Sequence, residues 1–554
     1  MSHRFSQNFS EEALSKCLFY MHATVIYSIT NFDYIYYLIY LRKTMTNPPK
    51  PLEHQQKIFY TGLLILFLIE LVRTAWISDI ANITLVTVLN FIHGYGPTFN
   101  IDERVQGYTH PFWFLLLSGA TYIFRSVYLA TYILSISISL IVFWLFLTKF
   151  TKNTITAIVL ACALILSKAF VDFSTSGLEY PLSYLLIIFL VLCAIKIGTQ
   201  RTTTSMLCYF LCLSLLYLCR PDLILLFSPL TLFILAQNYK RPSSIICSML
   251  IGGLPAIFWA IFSLYYYGLL FSTPTYAWLS ISIPLGERLT QGIIYLIDIV
   301  NRDPLTISTI FIAIGLGLRN GIFNAILSIG IILYILYIVF MGGDFMAGRL
   351  LSAPFFLSVI LLSRINFNKL QLIIFAICIG TLSIMSVNST IFSNASFSNI
   401  KISTNGIADE RGYYFKKFGL LNSDRTYFFP TEWDFKEGQL QAFCNHIGQH
   451  ALKSGPGTHY LDTCALTDPL LAHFFVKKTG TSWRIGSAVR ALPENYIESV
   501  ALNKNLLTDS EIHDYYDSIR IITRGDLNSR NRWKEIFKVN FKNSYTIKIT
   551  ANKN

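Results

Sequence analysis

Asp79 closes the first long apolar run of this 554-residue chain, in "VRTAWISDIANIT", and is the first residue whose type and place could do chemistry. A carboxylate at the edge of a bilayer stays wet while standing beside a membrane-bound substrate, which suits a general base. The same residues also read as a helix start, with Ser78 or Asp79 accepting from the next turn. Position alone leaves both readings open. The loop that follows, "NFIHGYGPTFNIDERVQGYTHPFWF" at 90–114, turns at Gly94, Gly96 and Pro97 and gathers Asp102, Glu103, Arg104 and His110 into one short stretch. Arg104 and His110 are types that hold a phosphate, and Asp102 and Glu103 types that hold a sugar or a cation. A solvated loop is the plainer alternative.

Three further places carry charge at the edge of apolar runs. Glu179 lies in "STSGLEYPL", where its plain role is to face a helix N-terminus. Arg220 and Asp222 in "CRPDL" either pair with each other or meet a substrate. "MGGDFMAGRLL" at 341–351 is the sharper signal: two glycines allow close backbone approach, Asp344 offers a carboxylate, and Arg349 stands where a helix begins. A guanidinium beside free helix amides favours phosphate.

Composition dictates what must position these groups. The chain is 53% hydrophobic and 14% charged, with a mean hydropathy of +0.50, which excludes an ordinary soluble protein. The net charge of +13 resides largely in short connections between apolar segments, as in membrane proteins, and does not point to nucleic acid. Residues 1–57 form an N-terminal segment without a signal-peptide pattern, and a start at Met45 fits the chain better. Eleven apolar runs follow, at 58–78, 127–148, 153–170, 178–197, 204–219, 221–238, 244–268, 303–318, 321–341, 350–364 and 368–387. The run at 111–124 would reach only about 21 Å as a helix. Read as an interfacial helix with Trp113, Tyr122 and Phe124 at headgroup level, it puts the basic loops on the cytoplasmic side. The loops at 79–126, 171–178, 269–302 and 342–349 and the tail then share the outer face, where the candidate residues gather.

The expected fold class is an all-α polytopic membrane domain over 58–390, followed by an outer mixed α/β domain over 391–554. About 160 residues suffice for a domain of its own. Cys162, Cys193, Cys208, Cys212, Cys219, Cys247 and Cys378 fall in apolar spans, as small core residues do. Cys444 and Cys464 face an oxidising compartment in this topology, which predicts a disulfide. Tyr413, Tyr414, Trp433 and Trp483 either stack on sugar rings or form the tail's own core.

In order along the chain, "DIANIT", the 90–114 loop, "TSGLEYPL", "RPD", "GGDFMAGR", "IADERGYYF", "LDTCALTDPLLAH" and "WRIGSAVRALPENY" resemble the bacterial GT-C glycosyltransferases related to the terminal arabinofuranosyltransferase of mycobacterial cell walls, together with Legionella-type relatives. The likeness runs from about residue 60 to 500. It implies an enzyme of the bacterial inner membrane that moves a sugar from a polyprenyl-phosphate carrier to a cell-envelope glycan or lipopolysaccharide acceptor on the periplasmic face. It also implies an opening Asp-Asp-Ala with an Asp as base. The corresponding residues here are Asp79, Ile80 and Ala81, so the first carboxylate is kept and the second is absent. Either Asp79 works alone or the chain is a non-catalytic relative that binds a lipid-linked sugar.

The chemistry calls for a base on the acceptor hydroxyl and positive charge on the departing phosphate. Asp79 is assigned the first role, Arg349 and Arg104 the second, with His110 and Asp344 beside the donor; a divalent metal is compatible and not required. A single base without a covalent intermediate predicts inversion. A flippase for a lipid-linked glycan is the rival from another class, but transporters place broken helices near the bilayer midplane, whereas these motifs collect at one face. A polymerase or ligase that moves a whole glycan differs only in its donor.

Overall fold

The chain breaks after its first apolar helix, and that break makes the corner on which the site is built. In the computed structural model, which describes residues 54–151, 153–393, 405–421, 433, 435, 437–444, 446–477 and 488–542, helix α1 (His54–Thr74) ends five residues before Asp79. Helix α2 (Asp79–Ile92) leaves at 88° to α1. The 21 residues of α1 match a bilayer's thickness, so α2 turns away from a direct crossing. The polar loop then leads into α3 (Pro111–Phe124), α4 (Val127–Lys149), α5 (Thr154–Leu166), α6 (Lys168–Phe173), α7 (Tyr180–Gln200), α8 (Thr203–Cys219), α9 (Leu223–Gln237) and α10 (Pro242–Tyr266).

The loop at 269–302 holds α11 (Thr273–Leu279), strand β1 (Ile281–Ser282) and α12 (Leu285–Arg302), followed by α13 (Pro304–Gly317) and α14 (Ile322–Met341). A 3-10 turn, Arg349–Leu351, runs into α15 (Ser352–Ser363), and α16 (Lys369–Met385) ends the apolar part. The tail contributes α17 (Glu410–Phe418), β2 (Gln441–Phe443), α18 (Ile447–Ser454), β3 (Tyr460–Asp462), β4 (Val476–Lys477), α19 (Tyr496–Ala501), α20 (Ser510–Arg524) and α21 (Arg530–Phe537).

Among the described residues four helices, α4, α7, α10 and α14, are long and apolar enough to cross a membrane, or six spans exist if the bent pairs α1/α2 and α12/α13 each count once. Apart from α1, the other expected crossings are helices of 12 to 17 residues, short of the roughly 20 that a straight span needs. The run at 153–170 shows why: Ser167 adopts extended geometry, ends α5 and caps α6. Helix α3 has the expected 14 residues, with Tyr122 and Phe124 exposed. Trp113 departs from the headgroup reading. It is fully buried and donates from Nε1 to the Gly177 carbonyl at 3.0 Å, because a buried indole needs an acceptor.

The tail does not stand apart from the helices. Ile407, Tyr414, Phe418, Ile447 and Tyr460 belong to the main apolar core with Trp76, Leu85 and Phe173. A second core joins Leu461, Leu470, Tyr496, Ile512 and Ile519 of the tail to Ala277 of the 269–302 loop. Backbone pairing adds to this: β4 lies parallel to β1, Ile281 opposite Val476, and β2 lies parallel to β3, Gln441 opposite Tyr460. Met346 bridges Ala408.

Buried ions lock the junction. Lys168 Nζ sits 2.6 Å from Asp172 and 3.2 Å from Asp409, and the fully buried Arg411 reaches Asp172 at 2.8 Å. Cys444 and Cys464 form the expected disulfide, with Cα atoms 4.7 Å apart. Residues 1–53, including Met45, and Trp483 lie outside the described residues.

Candidate active site

Six separated sequence positions meet at one cavity of about 790 Å³: Asp79, His110, Glu179, Arg220, Asp222 and Arg349 all line it. They arrive from the first residue of α2, the start of α3, the start of α7, the α8–α9 junction and the turn before α15. The apolar wall includes Ile80, Ile83, Trp278, Leu279, Tyr337 and Met341. Leu279 is mainly exposed, so one flank of the cavity ends at an apolar side chain on the protein surface.

The cap question at Asp79 has a definite answer. Ser78, not Asp79, caps α2: its hydroxyl accepts from Ala81 N at 3.2 Å. Asp79 is therefore free of that duty. Backbone amides of His446 and Gln449, at the start of α18, face its carboxylate and favour its ionised form, as does the Asn82 side chain one turn on. Burial nevertheless wins, pushing the Asp79 carboxyl up to about 6 against those donors. The close approach is possible because Gly448 lies against α2; a methyl there would stand 2.7 Å from Asn82 Cβ and from Ile83 N. A carboxylate that is ionised at neutral pH but basic enough to take a proton has the properties of a general base.

A second chain of contacts holds the cationic side. His110 Nε2 lies 2.9 Å from Thr84 Oγ1, and its Nδ1 lies 3.2 Å from Glu179 Oε2. Burial pushes the imidazole below its ordinary value, with Glu179 opposing. Arg220 Nε is 3.6 Å from Glu179 and 3.1 Å from Asp222 Oδ1, and its guanidinium lies over the Tyr180 ring at 4.5 Å. Tyr334 Oη bonds to both Arg220 and Asp222. Thus Arg220 and Asp222 do pair with each other, and they do so at the cavity wall. Glu179 makes no side-chain cap for α7; its carboxylate is directed to His110 and Arg220 instead.

Asp344 lies behind this wall rather than in it. It is fully buried and grips Arg349, with Nε–Oδ2 at 2.5 Å and Nη2–Oδ1 at 3.0 Å, fixing the guanidinium at the cavity. Burial raises the Asp344 carboxyl and Arg349 draws it back. The neighbouring glycines serve the chain's own packing: Gly343 has φ +77°, and a Cβ there would meet the Tyr295 ring.

Asp102, Glu103 and Arg104 are not among the cavity-lining residues. Asp102 Oδ1 lies 2.7 Å from His459 Nδ1 and its Oδ2 lies 3.0 Å from Arg524, while Glu103 accepts from Asn100 at 3.0 Å. Arg104 donates to the carbonyls of Ile522 and Gly525 in α20 and the turn after it. Charges adjacent in sequence hold the tail, while the end of the same loop, Gly107 to His110, reaches the cavity. Trp433 is buried and donates to Asn90 Oδ1 at 3.0 Å, a core role, whereas Tyr413 and Tyr414 line the cavity.

Other lining residues come from the tail: Glu410, His446 and the Cys444–Cys464 pair. "IADERGYYF" carries Glu410 and both tyrosines, and it was the available signal. Nothing in the local sequence announces that α17 packs at the corner before α2, where Tyr414 stacks on Trp76.

No family model matches the chain. Two curated proteins are similar to it. The terminal beta-(1->2)-arabinofuranosyltransferase of Corynebacterium glutamicum is 28% identical over 348 residues, 53% of this chain and 48% of that protein. The terminal beta-(1->2)-arabinofuranosyltransferase of Mycobacterium tuberculosis is 27% identical over 327 residues, 51% of each. The chain spans about half the length of the curated relatives it matches. The resemblance read from the ordered motifs thus holds at the level of the aligned sequence.

Proposed function

We propose that this relative of terminal arabinofuranosyltransferases is a membrane glycosyltransferase that moves a sugar from a polyprenyl-phosphate donor to a cell-envelope glycan at the periplasmic face of the inner membrane. The observation that carries the reading is one cavity lined by the Asp79 carboxylate and by two guanidiniums, Arg220 and Arg349. Its exposed apolar flank at Leu279 suits a lipid-linked donor. In the reaction Asp79 takes the acceptor hydroxyl proton as the new C–O bond forms at the anomeric carbon. The bond to phosphate breaks on the opposite face, and the two arginines hold the departing dianion. One displacement inverts the anomeric centre.

The buried Asp344 keeps Arg349 in place, and Glu179 orients both His110 and Arg220. Ile80 occupies the position of the family's second Asp and lines the cavity beside Asp79, so the single carboxylate carries the base role.

Deleting the gene and comparing surface glycans tests the class of activity. Complementation with native protein restores the missing glycan, and Asp79→Asn does not. Full restoration by the Asn variant removes Asp79 from the mechanism, and an unchanged glycan profile on deletion removes the transferase reading. Retention in the product's NMR couplings overturns single displacement. Arg349→Gln raises the donor KM by one to two orders of magnitude if it holds the phosphate, on the order expected for loss of a charged hydrogen bond.

A further inference from the structure

The lipid-facing side of α10 continues past the end of the helix onto a different part of the chain. Helix α10 is 25 residues long and only 11% of its apolar window is buried, so its outward side chains meet the hydrocarbon. Phe258, Ile261 and Tyr265 mark that face up to its last turn. There the tail takes over. The fully buried Arg532 of α21 donates from Nη1 to the Tyr265 carbonyl at 2.8 Å and from Nη2 to the Tyr266 carbonyl at 2.9 Å, satisfying the terminal acceptors of α10. Trp533 packs beside Tyr265 with ring centroids 6.3 Å apart, and Asn540 donates to the Gly268 carbonyl at 2.8 Å. These bonds fix α21 against the C-terminal end of α10.

The exposed face of this segment has the chemistry of a membrane interface. Trp533, Phe537 and Phe541 recur every fourth residue and are 42%, 55% and 60% exposed, with Phe537 and Phe541 in ring contact. Such an aromatic row in water would be costly. Arg530 and Lys534, both exposed, lie three residues before Trp533 and Phe537 and therefore border the same row. Lys538 turns instead to Glu535 at 3.3 Å and Ser518 at 3.2 Å.

We infer that residues 530–541 are an interfacial anchor. The aromatic row enters the outer leaflet beside α10, and Arg530 and Lys534 meet anionic phospholipid headgroups, which pins the end of the tail to the membrane. This surface is separate from the cavity and does not depend on the transferase reading. Because α20 also receives Arg104 of the first outer loop, the anchor fixes that loop's height as well.

The test uses the full chain in nanodiscs containing equal phosphatidylglycerol and phosphatidylcholine, with the photo-crosslinker p-benzoyl-L-phenylalanine placed in turn at positions 537, 541 and, as a lipid-facing reference on α10, 246. Mass spectrometry reads the adducts, on samples whose melting matches the unsubstituted chain. Phospholipid adducts are expected at 537 and 541, with phosphatidylglycerol favoured roughly fivefold. Arg530→Glu with Lys534→Glu returns that ratio towards one while leaving the adducts at 246 unchanged. Lipid adducts at 246 with none at 537 and 541 overturn the anchor, as does capture of a protein, including a second copy of this chain. Equal capture of the two lipids overturns the anionic headgroup assignment.

Discussion

Asp79 gains its character from a conflict between burial and hydrogen bonding. Burial raises its carboxyl, the amides at the start of α18 lower it, and the balance falls at about 6. Because the folded value lies above that of the unfolded chain, the ionised form is less favourable in the fold, so the charge costs stability above pH 6 and the cost fades as pH falls. Two outcomes follow at once. The transferase rate falls about tenfold for each unit of pH below about 6, and Asp79→Asn melts no lower than the native chain at pH 8 while losing the reaction. A flat pH profile between 5 and 8 would exclude Asp79 as the group that must be ionised.

At the scale of elements, the close contact of α18 with α2 and the disulfide beside it hold the tail over the base. Gly448→Ala places a methyl 2.7 Å from the backbone nitrogen of Ile83, where backbone and not a flexible side chain must yield. Overpacking of this kind costs about 1 to 3 kcal/mol. Thermal melting should show that loss, with activity falling further than stability because α18 also carries the amides that face Asp79. Opening the Cys444–Cys464 pair releases a loop closed over a separation of 20 residues, a loss of about 3 kcal/mol by chain entropy. Cys444→Ser with Cys464→Ser therefore lowers the melting temperature under oxidising conditions, and reductant acts on the native chain but not on the double variant.

The whole molecule is held together by polar nodes between segments far apart in sequence. In one of them Asp102 and Glu103 of the first outer loop face His459 and Arg524 of the tail. Burial works against the charged imidazole, but Glu103 and Asp102 outweigh it and leave His459 above its ordinary value; for Asp102, burial is outweighed by His459 and Arg524, which leave it below. The His459 contribution is complete below the unfolded imidazole value and is lost as pH rises through the folded one; the Asp102 contribution is present above the unfolded carboxyl value and is lost as pH falls. The node is thus tightest between about pH 4 and 6.5. Amide exchange at 459–462, corrected for intrinsic rate, should be faster at pH 9 than at pH 6. Asp102→Asn should shrink that difference, and an unchanged difference would remove the node from the tail's attachment.

Composition and apolar run length determined that this is a helical membrane protein, because the cost of burying polar backbone in lipid leaves a mark on every spanning segment. Charged residues at the edges of those runs were legible for the same reason: Asp79, Glu179, Arg220, Asp222 and Arg349 stand out where charge is costly, and all five reach one cavity. Which of two adjacent residues caps α2, and whether a charge cluster serves a ligand or the fold, could not be read locally. Ser78 takes the cap within its own turn, which leaves Asp79 to α18, and Asp102, Glu103 and Arg104 face His459 and α20; the surroundings of these charges are set by segments hundreds of residues away. Tertiary structure alone decided that the tail would share the helices' core, since Glu410, Tyr413 and His446 acquire their place only when α17 meets Trp76 at the corner and α18 closes over α2. A sequence records the charge a residue carries and the periodicity around it, while the partner that satisfies that charge is chosen by packing.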